Sequence, residues 1–410
     1  MYRACLTLII LLSLPLTLQA KRSELVMATT FSPQATAYII SRWQHQPGAV
    51  PIRTINRTSA SLEQLLDNLN DGHIDLVLTS SPMLLQHLQD HHRLAPIDAQ
   101  PAELQRQIPE SIRATSVAVA LSGFGLLINR SNLAAQHLPP PKDWEDLTQP
   151  QYRDMLLMSS PSRSDTNHLM IESLLQQYGW QRGWQILLMA AGNLSTISSR
   201  SFGVADKIQT GLGTLGPVID NYAQMLSTDP HLTFHYFPHS VAAPTYVAVA
   251  RDALYPGEAR RFIRFLLSPE GQRALADTNT GKYPIVALPG NSARAQQQRR
   301  LLAQPQMDYR LILLRQRLVQ ALFDTAISFR LPQLKDAWRA LNAAESRQKH
   351  PLPHIRALLT AMPISAAQSE DPKLLAQCSS RAGCEQLMME WQQFFHQKQR
   401  QAINQLENLK

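Results

Sequence analysis

The chain has 410 residues, 39 Lys+Arg against 31 Asp+Glu, and 44% hydrophobic residues. That length predicts two or three compact units, and so apolar a composition excludes global disorder. The one continuous apolar run, residues 6–18, is terminal and broken by Pro15, which excludes a multi-pass membrane transporter.

In chain order, the first segment reads as an export signal. Arg3 precedes the apolar residues 6–12, and Leu18-Gln19-Ala20 supplies a small-residue cleavage end before Lys21. A mature protein starting at Lys21 in the periplasm is expected, an uncleaved anchor being the alternative. Only Cys378 and Cys384 then remain. In an oxidising compartment they form a candidate disulfide around a short loop containing Gly383, with two buried thiols as the alternative.

Residues 24–28 predict a buried strand opening onto Thr29-Thr30-Phe31-Ser32-Pro33, and Ser32 with Pro33 predicts a helix start. Its apolar face is expected at Ala37, Ile40 and Trp43. A strand over 52–55, a helix over 61–69 and a turn at Asn70-Asp71-Gly72 follow. A second buried strand, 74–78, ends on Thr79-Ser80-Ser81-Pro82. Alternating strand and helix predicts an α/β unit with a largely parallel sheet, whose ligands bind beyond the carboxyl ends of the strands. Strands at 117–120 and 123–128 lead into a second unit, which 155–158 and 215–219 continue, and 245–250 reads as a strand returning to the first. Beyond residue 304 long helical patterns take over. Residues 301–410 carry 14 Lys+Arg against 9 Asp+Glu, much of the basic excess.

The order of these motifs resembles the family 1 extracellular solute-binding proteins, the periplasmic receptors of ATP-driven importers. The resemblance covers residues 24–290. It is carried by Gly72-His73-Ile74-Asp75-Leu76-Val77-Leu78 and by the run from Pro141-Lys142-Asp143-Trp144 through Pro161-Ser162-Arg163-Ser164-Asp165-Thr166. Gly192-Asn193-Leu194 and residues 259–272 add to it. It implies an α/β, two-lobed periplasmic solute-binding protein (type 2) fold with a helical C-terminal extension. The implied divisions are a signal peptide at 1–20, lobe 1 at 21–122, lobe 2 at 123–243, a return to lobe 1 at 244–304 and the extension at 305–410. With the extension included, the chain is similar to family members that regulate phosphoglycerate uptake. That implies a monomeric, non-enzymatic receptor for a small phosphoglycerate-like anion, acting with the periplasmic domain of a membrane sensor protein to induce a permease. Delivery to an importer is the alternative among binding proteins; a secreted phosphoester hydrolase is the alternative from another class.

The residue chemistry fits a small anion. Thr30, Ser80, Ser81, Ser162, Ser164 and Thr166 precede inferred helices, where unpaired N–H groups and the helix dipole favour negative charge. Arg163 adds a bidentate donor for phosphate or carboxylate. Thr29, Asn193, Asp220 and Tyr222 complete the expected ligand-binding set. Any one hydroxyl alone reads as an ordinary N-cap; three such loops on two lobes facing one cleft read as a binding site.

Other chemistry is not expected. Gly211-Leu212-Gly213-Thr214-Leu215-Gly216 follows a helical stretch rather than a strand, contrary to a dinucleotide loop. No cofactor or metal is expected: His87, His91 and His92, and likewise His231, His235 and His239, read as surface or cap residues. Related ferric receptors use paired tyrosines, whereas Tyr222 and Tyr246 are isolated. Positive charge is dispersed, which argues against nucleic acid. The stripe Leu387, Trp391, Phe394, Phe395, Ala402, Leu406 and Leu409 packs on its own domain or docks the sensor. The cleft is expected to be complete without residues 305–410.

Overall fold

The computed structural model describes residues 24–67, 73–98 and 100–409. The export segment and the Asn70-Asp71-Gly72 turn lie outside them. The strands are β1 (Leu25–Thr29), β2 (Ile52–Asn56), β3 (Leu76–Thr79), β4 (Ser116–Ser122), β5 (Phe124–Asn129), β6 (Leu156–Ser159), β7 (Leu194–Ser198), β8 (Leu215–Ile219), β9 (Leu232–Tyr236), β10 (Ala243–Val249) and β11 (Tyr283–Pro284). They form a six-stranded sheet ordered β11-β4-β10-β3-β1-β2 and a five-stranded sheet ordered β7-β6-β8-β5-β9.

Both sheets are more mixed than the alternating pattern predicts. β1 runs parallel to β2 and β3, and β6 parallel to β7 and β8. β10 runs antiparallel to β3 and β4, and β5 antiparallel to β8 and β9. The antiparallel members arise because the chain crosses between sheets twice, at Gly123 and through residues 237–242, and returns in the opposite sense. In β1, Leu25 and Met27 enter one apolar cluster while Val26 and Ala28 enter another. A strand covered on both faces has no polar side, hence its unbroken apolar run.

The helix Pro33–Gln44 starts where Ser32 and Pro33 place it, Ser32 Oγ accepting from Ala35 N at 3.3 Å. Its buried face is Ala35, Thr36, Ile39 and Trp43, not the expected Ala37 and Ile40 face; Ala37 is exposed. The two stripes share Trp43, and only the packing of Trp43 against Phe262 and Phe265 decides between them.

The extension differs most from expectation. Its helices include Tyr309–Ala326, Leu331–Gln348, Pro353–Leu359, Pro372–Ser379 and Arg381–Glu407. They pack chiefly on the second lobe, while Gln316 and Arg317 also line a groove with Ala60, Glu63 and His87 of the first. Trp180, Trp184 and Leu187 share one continuous core with Leu322, Trp338, Leu387, Trp391 and Phe395. Leu387, Trp391, Phe395, Ala402 and Leu406 are buried, so the apolar stripe is an internal face, whereas Leu409 is exposed. Gly192 marks the contact: a Cβ there would lie 2.7 Å from Trp338 Cγ. Arg315 crosses the same interface to Glu172, Nη2 2.7 Å from Oε2 and Nε 3.0 Å from Oε1, with both residues buried. Cys378 and Cys384 are joined as a disulfide linking Pro372–Ser379 to Arg381–Glu407. No helix among the described residues is long and apolar enough to cross a membrane.

Candidate functional site

The first lobe contributes the carboxyl ends of β1 and β3. Thr29 is buried there, its hydroxyl donating to Leu78 O at 2.8 Å and accepting from Phe31 N at 3.2 Å. It fixes the strand ends and does not line the cleft. Thr30 does line it, with Oγ1 3.0 Å from Thr79 Oγ1. Ser80 turns inward to Thr245, 3.1 Å away. Ser81 caps the helix Pro82–Asp90 by accepting from Leu84 N at 2.9 Å, and its hydroxyl also donates across the cleft to Asp165. Beside it the helix Ser59–Asp67 begins, with Thr58 and Ser59 at the cleft.

The second lobe answers with the ends of β6 and β7. After β6, Ser164 caps the helix Asp165–Tyr178, accepting from Asn167 N at 3.4 Å, and lies 2.8 Å from Ser201 Oγ. Arg163 and Thr166 flank that cap at the cleft. After β7, Arg200 reaches across so that Nη2 donates to Thr30 O at 3.3 Å, while its guanidinium stacks 4.6 Å from the Phe202 ring centroid. Tyr222 packs edge-on against Phe202. Burial pushes the Tyr222 phenol up to about 12, so it stays protonated and able to donate.

Of the expected residues, Thr30, Ser81, Arg163, Ser164, Thr166 and Tyr222 therefore meet in one cleft. Two long-helix N-termini and two guanidiniums converge on it, opposed by the Asp165 carboxylate. That arrangement offers a small anion hydrogen-bond donors and positive charge from both lobes.

The other expected residues stand elsewhere, each for a visible reason. Ser162 pairs with Ser160 Oγ at 2.8 Å and faces an adjoining groove. Asn193 precedes β7, at the end of the sheet away from the cleft. Its amide donates to Leu147 O and Gln149 O, both at 2.8 Å, which makes it a clasp for that loop. Asp220 sits at the crossover, accepting from Gly123 N at 2.7 Å and from the Tyr236 hydroxyl at 2.9 Å. Tyr236 also lies 2.9 Å from the Tyr283 hydroxyl, so this network joins both sheets at the hinge. Burial pushes the Asp220 carboxyl up to about 6, although the Gly123 N–H, Tyr236 and Lys282 pull it down.

Sequence reasoning missed Arg200, Ser201 and Asp165 as cleft residues. The signal was present: Ser199-Arg200-Ser201 follows a strand just as Ser162-Arg163-Ser164 does. The polar residues of β7 (Ser195, Thr196 and Ser198) mask its strand pattern.

Residues 71–309 match the family described as bacterial extracellular solute-binding protein. The chain is 66% identical over 392 residues to the phosphoglycerate transport regulatory protein PgtC of Salmonella typhimurium, covering 96% of this chain and 99% of that one. Among solved structures, the periplasmic binding protein AfuA of Actinobacillus pleuropneumoniae, with fructose-6-phosphate bound, is similar with a TM-score of 0.58 at 17% identity, over 66% of this chain and 88% of that one. Iron-bound HitA of Pseudomonas aeruginosa is similar with a TM-score of 0.54 at 17% identity, over 66% of this chain and 89% of that one. At such identities these two likenesses establish the fold alone.

Proposed function

The chain belongs to the bacterial extracellular solute-binding proteins, a family of binding proteins rather than enzymes, and from that premise we propose that it is a periplasmic receptor for phosphoglycerate or a closely related three-carbon phosphate. The observation that carries this reading is the convergence of Ser81, Ser164, Arg163 and Arg200 on one polar cleft. A phosphate dianion takes backbone and hydroxyl donors at two helix N-termini, and the guanidiniums supply two charge-assisted pairs for phosphate and carboxylate. The name of the 66%-identical relative supports the ligand class and a regulatory role. In this reading the signal peptide 1–20 is removed, lobe 1 (21–122 with 244–304) closes on lobe 2 (123–243), and the closed form is read by the periplasmic domain of a membrane sensor. Closure follows only from contacts that the ligand makes better in the closed than in the open form.

Calorimetric titration of the mature protein tests this. One-to-one binding of 2- or 3-phosphoglycerate or phosphoenolpyruvate, tighter than that of inorganic phosphate or fructose 6-phosphate, is the expected result. Heat from none of the three-carbon phosphates, with saturable binding of ferric ion or a sugar phosphate instead, overturns it.

A further inference from the structure

We propose that Asp67, His87 and His91 form a binding site for one divalent transition-metal ion of the zinc class on the first lobe. Their ligand atoms all lie within 4.8 Å of one another. His87 and His91 are one helical turn apart at the end of Pro82–Asp90, which puts both imidazoles on one face, with ring centroids 4.2 Å apart. Asp67 ends the neighbouring helix and sets its carboxylate oxygens 2.9 and 3.1 Å from His87 Nε2.

The tautomer of His91 is fixed by its own helix. Its Nδ1 lies 2.7 Å from the carbonyl oxygen of His87. A carbonyl only accepts, so Nδ1 carries the proton and Nε2 is left with a lone pair. This is the hydrogen-bonding pattern by which outer contacts orient metal-binding histidines. Two imidazoles and a carboxylate suit a borderline ion such as Zn²⁺ and leave a fourth position for water. A cation is favoured at a helix C-terminus. Glu63 and Asp90 add negative charge to the adjoining groove, against the single Arg317.

The two helices that meet at this cluster both begin at the cleft, with Ser59 and Ser81 at their N-termini. An ion between their far ends braces the first-lobe half of the anion cleft. The inference does not depend on which anion that cleft takes.

The test uses the untagged mature chain, titrated with Zn²⁺ by calorimetry and with Co²⁺ by visible absorption. One ion should bind with the d–d bands of a low-coordinate nitrogen and oxygen site. His91→Gln and Asp67→Asn should each weaken binding at least tenfold, while His354→Gln, at an exposed position of the extension, leaves it unchanged. Zn²⁺ should also raise the melting temperature of the wild type and of His354→Gln only. Asp67 and His91 are exposed, so both variants keep the fold, which circular dichroism checks. Absence of saturable binding, or equal affinity in His91→Gln and Asp67→Asn, overturns the proposal.

Discussion

Arg163 and Arg200 face the same cleft with different obligations to the fold. Arg163 is exposed, whereas Arg200 is tied to Thr30 O and stacked on Phe202. Arg163→Ala should therefore weaken anion binding by the ~1.5–3 kcal/mol typical of hydrogen bonds to charged groups, with an unchanged urea midpoint. Unaltered affinity in a folded variant removes Arg163 from the cleft. Asp165 acts in the opposite sense, as the one carboxylate lining that space. Asp165→Asn should tighten binding of an anion by about 2 kcal/mol per unit of ligand charge, the interaction of unit charges some 8–10 Å apart at an effective dielectric near 20. Weaker binding in that variant would mean that Asp165 instead accepts a hydrogen bond from the ligand. At this scale the sequence displays hydroxyls before helices but not their direction. Ser81 and Ser80 are neighbours, yet one caps a helix at the cleft and the other points at Thr245. Asn193 likewise carries a family motif for a loop clasp, not for a ligand.

Among elements, the buried strands and the capped helices are legible because their signals are local. β7 and β9 escaped because they are sheet edges, where half-buried residues such as Ser195, Thr196 and Thr233 blur the apolar pattern. The attachment of Tyr309–Ala326 to Asp165–Tyr178 was also invisible, since Glu172 and Arg315 stand 143 positions apart. Their pairing gives the extension its strongest polar tie. Arg315 also lies 5.0 Å over the Trp180 ring. Glu172→Gln leaves a buried guanidinium without its counter-charge and should destabilise the protein by about 3–5 kcal/mol, seen as a lower urea midpoint. A change within a few tenths of a kcal/mol would contradict a buried, desolvated pair. The affinity of the cleft should survive wherever the variant remains folded.

For the whole molecule, the shared core makes residues 305–410 part of the second lobe's packing, although the residues lining the cleft all precede them. Removal of 305–410 would uncover Trp180, Trp184 and Leu187, each worth roughly 1.5–3 kcal/mol when buried, so the truncated chain should aggregate or lose near-ultraviolet dichroism. A soluble truncation that binds ligand normally would refute this. Two buried groups then make opposite contributions to the acid response of the intact fold. His168 is wholly buried with neither ring nitrogen hydrogen-bonded, and burial pushes it down from 6.5 to about 4, with Asp165 opposing and Arg315 reinforcing the shift. Asp220, at the hinge, is pushed up from 3.8 to about 6. As pH falls from 6.5 towards 4, the unfolded chain takes a proton on His168 that the folded chain refuses, so stability is lost. From pH 6 down to 3.8 the folded chain holds a proton on Asp220 that the unfolded chain has released, so stability is gained. Each shift is worth roughly 3 kcal/mol over its window, and between pH 6 and 4 the two offset each other. Asp220→Asn removes the gain and should steepen acid destabilisation, whereas His168→Phe removes the loss and should make the fold sturdier towards pH 4. Urea midpoints of the three proteins at pH 4.5, 5.5 and 7 check this. Parallel profiles would show that neither group carries the linkage.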